Sequence, residues 1–173
     1  GQAEGRVGGP KATRSRAEAG GRIGLCGNTQ VFRGVRDGAL PVDAFLQAVH
    51  LTGQDAQDHQ DLPFEQLVEA LQPERNLSHN PLFQVMFNHQ DSGRLGQVGN
   101  GLAVEALQWD NHTAQLDLTL DTVESAEGLS ASLTYATDLF DRPTIERLAE
   151  PWQHLPPPLA AHPRPPVGAL PLL

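Results

Sequence analysis

With Cys26 as its only cysteine, the chain can form neither an internal disulfide nor a cysteine-based zinc cluster. That usage fits a reducing compartment, and the cytoplasm is the expected location. Positive charge is scarce as well: 12 Lys and Arg stand against 21 Asp and Glu, a net charge of −9. Such a surface attracts phosphate poorly, so nucleic acid is not expected as a partner. The basic residues near the start, Arg6, Lys11, Arg14, Arg16 and Arg22, read as a solvated end. No stretch approaches the roughly 18 consecutive apolar residues of a membrane span, and the opening GQAEGRVGGPK has no apolar signal-peptide core. A soluble, non-exported chain with no membrane partner is expected. Its 173 residues give room for one domain with a real core.

Motifs that carry chemistry are absent too. There is no G-x-S-x-G elbow, no phosphate-binding glycine loop, and no G-x-G-x-x-G between a strand and a helix. The seven histidines (His50, His59, His79, His89, His112, His154 and His162) never form an i, i+4 pair around a Glu, so no metal site is expected. Cys26 reads as a small apolar residue at a strand entrance, and the carboxylates Asp117, Asp121 and Glu124 as a solvated strand face.

What the chain does have is alternating periodicity. Residues 1–22, rich in Gly, Arg and Ala, read by composition as linker. NTQVFRGV alternates like a strand and ends at the turn pair Asp37-Gly38. From Pro41, the positions Val42, Phe45, Leu46 and Val49 mark one helix face, weakened at Gly53. HQDLPFEQL follows, in which Asp61 is placed to cap a helix and Pro63 fits its first turn. Phe64, Leu67, Val68 and Leu71 then draw its apolar stripe, which is expected to end by Pro73.

LFQVMFN reads as a buried strand, and Asp91–Asn100 as a loop by composition. AQLDLTLDTVE and GLSASLTYAT, joined by residues 125–127, form an expected antiparallel hairpin with one dry face: Leu116, Leu118 and Leu120 against Leu129, Ala131, Leu133 and Tyr135. A last helix is expected from Asp141-Arg142-Pro143 through Ile145, Leu148, Trp152 and Leu155. Pro151 should interrupt it, with an extended tail after Pro156-Pro157-Pro158. The class is α/β (α+β), a mixed sheet with flanking helices.

Three blocks carry a resemblance. HQDLPFE is similar to [HN]-Q-D-x-P-F-E, RNLSHNPL to R-D-x-S-[RH]-N-P-L, and IGLCGNTQVFR to I-G-x-F-V-N-T-Q-x-x-R. Taken in chain order, with IGLCGNTQVFR first, they resemble the condensation domain of nonribosomal peptide synthetases, over essentially the whole chain. The sequence departs from those blocks at Cys26-Gly27, where the family has Phe-Val, and from the family's pattern upstream of them at Arg22 and Lys11, where apolar residues are usual.

The resemblance implies a chloramphenicol-acetyltransferase-like fold of two lobes around a tunnel, and a reaction in which an acceptor amine attacks a donor thioester. The family's base or amine-orienting histidine lies in H-H-x-x-x-D-G, which occurs nowhere here. The chain is therefore expected to be the C-terminal half only, a piece of a longer polypeptide: 1–158 as the C-terminal lobe, 159–173 as a linker toward an adenylation domain. No cofactor is expected to bind directly; substrates would arrive on the phosphopantetheine of peptidyl carrier proteins. The implied partners are those carriers, the missing N-terminal lobe and the adjacent adenylation domain.

Asn28, Thr29, Gln30, His59 and Gln60 are the candidates for lining the tunnel, with a structural role for His59 and Gln60 as the simpler reading. No residue is assigned as catalytic. The segment from Asp91 to about Trp109 resembles the family's crossover between lobes. The Asn28–Gln30 run favours condensation over the related epimerising domains. Two other functions fit the residues: a noncatalytic docking module for carrier or adenylation domains, and a complete small acyltransferase using one of the seven histidines.

Overall fold

A computed structural model describes residues 4–12, 18, 21, 23–24, 27–71, 80–91, 112–125, 128–154 and 166–170. Cys26, Arg22, residues 75–79 of the second block, the segment 92–109 and residues 155–165 lie outside this set. The elements run β1 (Glu4–Ala12), β2 (Gly27–Val35), α1 (Val42–Asp58), α2 (Phe64–Leu71), β3 (Val85–Asp91), β4 (Leu118–Ser125), β5 (Gly128–Tyr135) and α3 (Arg142–His154). The strands form a 5-stranded sheet in the order β2-β1-β3-β4-β5. Its outer pairs are antiparallel, while β3 runs parallel to both β1 and β4. The expected mixed sheet with flanking helices is what the chain forms.

The sharpest contrast with the compositional reading is β1, where the family resemblance does imply a strand. Composition marks residues 1–22 as linker, yet Glu4–Ala12 is an inner strand hydrogen-bonded on both sides. The glycines that hide it from periodicity are the reason it fits. Gly8 and Gly9 are both buried, and neighbouring strand residues face opposite sides of a sheet. A Cβ on Gly8 would stand 2.3 Å from the Phe83 ring, and one on Gly9 2.6 Å from the Phe32 ring. Each face of β1 thus takes its apolar cover from another segment.

Phe83 is the most deeply buried large side chain among the described residues and meets Phe64 edge-on, with ring centroids 5.8 Å apart. It joins Val42, Leu82, Leu120, Ile145 and Val167 in the core. Leu82 and Phe83 precede β3, so the strand expected from Leu82 begins at Val85.

Helix α1 runs through Gly53 to Asp58. Only the start of its apolar face is covered: Val42 is buried, whereas Leu46 and Val49 are about half exposed. Helix α2 has the expected stripe, with Phe64, Leu67 and Val68 half-buried and Leu71 exposed. The expected antiparallel β4–β5 hairpin forms, with Leu118 opposite Tyr135 and Leu120 opposite Leu133. Its face is dry only at that end, because Leu129 is 64% exposed.

Pro151 does not end α3, which continues to His154. A proline near a helix end forfeits one hydrogen bond, here to the Arg147 carbonyl, without stopping the turn that follows. Leu148 and Trp152 remain largely exposed.

At the start of α3, Asp141 Oδ1 accepts the Thr144 backbone N–H at 3.0 Å, a side-chain cap for an orphan donor. Hydrogen bonding from Thr144 holds the Asp141 carboxyl below its ordinary range. A depressed carboxyl stabilises the fold above its unfolded pKa, and that contribution is lost as pH falls through the folded value. Asp141→Asn keeps an acceptor but does not titrate. The wild-type thermal midpoint is therefore expected to fall further than the variant's on acidification, and equal slopes would remove the carboxylate from this role.

The tail is not simply extended. Pro166 bridges to Pro41, Val167 N–H donates to the Leu40 carbonyl at 2.8 Å, and Gly168 N–H to the Gly38 carbonyl at 2.9 Å. A 3-10 turn over Val167–Ala169 buries Val167. The part of 159–173 that is described is thus docked on the turn before α1. Among the described residues no helix is long and apolar enough to cross a membrane.

Candidate functional site

Two of the sequence blocks meet. Strand β2 brings Asn28 and Gln30 to one face, since they stand two residues apart, and the α1–α2 connection, residues 59–63, lies against them. Asn28 Nδ2 donates to the Gln60 carbonyl at 3.1 Å and to the Leu62 carbonyl at 2.8 Å. Its Oδ1 accepts the Thr29 N–H at 2.9 Å and the Phe64 N–H at 3.1 Å. One amide therefore holds the turn from both sides and caps the first donor of α2. The sequence assigned that cap to Asp61. Asp61 instead sits two residues too early and is exposed, while Pro63 occupies the capping position and its carbonyl takes the N–H groups of Gln66 and Leu67.

The end of α1 is closed in the same way. Its last turn has no basic side chain to offset the helix dipole. Gln30 Nε2 donates to the Ala56 carbonyl, and His59 Nδ1 to the Asp55 carbonyl at 2.8 Å. A carbonyl only accepts, so neutral His59 carries its proton on Nδ1 and leaves Nε2 with a free lone pair. Asn28, Gln30, His59 and Gln60 thus lie together, with the Thr29 side chain on the opposite face of β2, and two stretches of sequence separated by some thirty positions form one clip. After these bonds, the groups of the cluster not engaged with the described backbone are His59 Nε2, the Thr29 hydroxyl, Gln30 Oε1 and the Gln60 side-chain amide.

A second polar cluster was not visible in the sequence. Thr122, buried on β4, donates its hydroxyl proton to the Asn88 carbonyl at 3.2 Å. His89 on β3 lies opposite Thr122 in the parallel register, its Nδ1 3.0 Å from the same hydroxyl oxygen. That oxygen has already given its proton, so Nδ1 is the donor and Nε2 faces outward. Glu124 stands 3.8 Å from Nε2. Asp121, on the opposite face, accepts from Asn88 Nδ2 at 3.0 Å, so the acidic residues of β4 are not one solvated face. Only the β3–β4 register brings His89 and Thr122 together, and no short-range spacing announces it.

Among the described residues, concavities lie on single helices, one along Pro143, Glu146, Arg147, Ala149 and Glu150, another along Gln54, Asp55, Gln57 and Asp58. No histidine lines either. Among the described residues no group of His, Cys, Asp or Glu could hold a metal ion.

Comparison with known proteins agrees with the blocks. The family model described as Condensation domain matches residues 1–173. The chain is 41% identical over 150 residues, 86% of its length, to tyrocidine synthase 3 of Brevibacillus parabrevis. It is 35% identical over 167 residues, 96% of its length, to surfactin synthase subunit 1 of Bacillus subtilis (strain 168). It spans only 2% of the first and 5% of the second. Among solved structures, a four-domain nonribosomal peptide synthetase in its holo form, bound to AMP and glycine, superposes with a TM-score of 0.87 at 24% identity over 98% of this chain and 14% of that one. The condensation domain of the Monacolin K polyketide synthase MokA gives 0.78 at 15% identity, covering 96% of this chain and 39% of that one.

Proposed function

The chain belongs to the condensation-domain family, and from that premise we propose that it supplies one lobe of a domain joining carrier-bound aminoacyl or peptidyl groups through an amide bond. The observation that carries this reading is the overlap with an isolated condensation domain, which takes in 96% of this chain but 39% of the other. The remaining lobe is then the place for the adjacent histidine pair that this sequence does not contain.

In the reaction, the acceptor amine nitrogen forms a bond to the donor thioester carbon. The carbon–sulfur bond breaks, the donor carrier keeps its phosphopantetheine thiol, and the lengthened acyl group stays on the acceptor's thioester. The amine loses a proton as the amide forms. Holding two tethered reactants at bonding distance supplies much of the rate, and that needs two walls. The lobe's contribution is the fixed geometry of the β2 and α1–α2 clip. Asn28 and Gln30 hold the backbone, Gln60 and His59 Nε2 are the groups left on that side to face a pantetheine arm or acyl chain, and Thr29 projects from the other face of β2. Phosphopantetheine is carried by the partner carrier proteins, and no cofactor is assigned to the chain itself. Residues 1–158 form the body of the lobe, Pro166–Gly168 pack onto it, and 159–173 lead toward an adenylation domain.

The alternative is a noncatalytic docking module for carrier or adenylation domains, in keeping with concavities that, among the described residues, lie on single exposed helices. One experiment separates the two. Donor and acceptor carriers, each loaded with an aminoacyl group, are mixed with this chain alone and with a polypeptide that joins it to a lobe bearing H-H-x-x-x-D-G, and the acceptor carrier is weighed by intact mass spectrometry. Product is expected only with the joined form. Dipeptidyl thioester from the chain alone would overturn the half-site reading, and none from the joined form, with carriers still binding, would favour the docking module.

A further inference from the structure

Strand β5 is the outer strand of the sheet on one side, and among the described residues nothing covers it. Natural edge strands are usually guarded by lysine, proline, a bulge or inward charge. Gly128–Tyr135, GLSASLTY, has no charged residue and no proline, and its residues Gly128–Ser132 are all exposed. Its centre is a palindrome, Leu129-Ser130-Ala131-Ser132-Leu133.

The direction of the free backbone groups follows from the ladder. Ala136 N–H donates to the Asp117 carbonyl at 3.0 Å, continuing the register that sets Leu118 opposite Tyr135. Bonding in an antiparallel pair alternates residue by residue. Ser130, Ser132 and Thr134 therefore bond inward to β4, and Leu129, Ala131 and Leu133 turn their N–H and C=O groups out.

We infer that β5 is a self-pairing edge, joining a second copy of this chain as an antiparallel strand about a two-fold axis at Ala131. In that register Ala131 meets Ala131 of the second copy and Leu129 meets its Leu133. All three outward residues then exchange bonds, roughly six in the ladder. Leu129 gains an apolar neighbour across the strands, Ser130 lies opposite Ser132, and no like charges meet. The palindrome is what an isologous contact requires, since every residue must suit its own two-fold mate. A strand of different sequence would use the same backbone groups but draw nothing from that symmetry.

Sedimentation velocity of the full 173-residue chain over a rising concentration series is expected to show a species of twice its mass. Ala131→Pro removes an outward donor and leaves the β4 ladder intact, so it should weaken association by about tenfold or more, with an unchanged far-ultraviolet circular dichroism spectrum confirming the fold. In a Cys26→Ser background, Ala131→Cys is expected to form an interchain disulfide on mild oxidation. Residue 131 faces itself across the axis with Cα atoms about 5.5 Å apart, inside the range a disulfide spans. Ser132→Cys should not cross-link, because its mate is Ser130. A chain that stays monomeric throughout, or that cross-links equally through either cysteine, overturns the inference.

Discussion

Replacing Asn28 with alanine is expected to lower the thermal midpoint by about 4–10 °C, equivalent to roughly 2–3 kcal/mol for a chain of this size. The magnitude follows from what the amide holds. Two carbonyls, of Gln60 and Leu62, and two N–H groups, of Thr29 and Phe64, lose their partner together. The residue is half-buried, so water replaces only part of the loss. Asn28→Asp sharpens the test because it is nearly isosteric. It keeps acceptors for Thr29 and Phe64, but sets a carboxylate against two carbonyl oxygens, and should cost at least as much as alanine at neutral pH. Thermal unfolding followed by circular dichroism measures both. If alanine shifts the midpoint by no more than a typical surface substitution, the clip contributes nothing to the junction and the residue must be read through substrate contact alone.

The second large effect is expected at Gly8. Adding one methyl group there places it 2.3 Å from the Phe83 ring. That ring cannot swing aside, being 2% exposed and packed edge-on against Phe64. Gly8→Ala should therefore cost about 3 kcal/mol, at the upper end of overpacking in a filled core, although alanine is the better strand residue by intrinsic preference. The double mutant Gly8→Ala/Phe83→Leu tests the cause. A smaller side chain at 83 makes room for the methyl, so the pair should be less destabilised than the sum of the singles. Chemical unfolding gives all three values, and strict additivity would mean that the methyl is accommodated some other way.

The two residues differ in how far the sequence announces them. Asn28 stands out within a motif, but its partner turn is more than thirty residues away, and the nearby Asp61 offered a local cap that satisfied the same rule. Local rules name the kind of residue that caps a helix; they do not say from which strand it comes. Gly8 is less legible still, because β1 has almost no apolar side chains of its own and borrows the rings of Phe32 and Phe83. Helix α2 and the β4–β5 hairpin were readable because their signals repeat within a few residues: Phe64, Leu67 and Val68 on one stripe, Leu120 opposite Leu133. Pro151 and the docked residues Val167 and Gly168 escaped for opposite reasons. A proline's cost depends on how much helix follows it, and a tail rich in proline looks extended whether or not a carbonyl is waiting for its amides. The His89–Thr122 contact exists only once the parallel register is known.

The central place of β1 has a consequence for synthesis. Its hairpin with β2 can close as soon as Val35 leaves the ribosome, but its other side pairs with Val85 and Met86. Translation of residues 36–86 takes several seconds at about 5–20 residues per second. Throughout that wait the nascent hairpin shows a bare flank, and a strand in which Gly5, Gly8, Gly9 and Pro10 surround Val7 is a poor template for stray strands. The composition that disguises β1 as linker is thus expected to disfavour aggregation of the unfinished polypeptide before its proper neighbour is made.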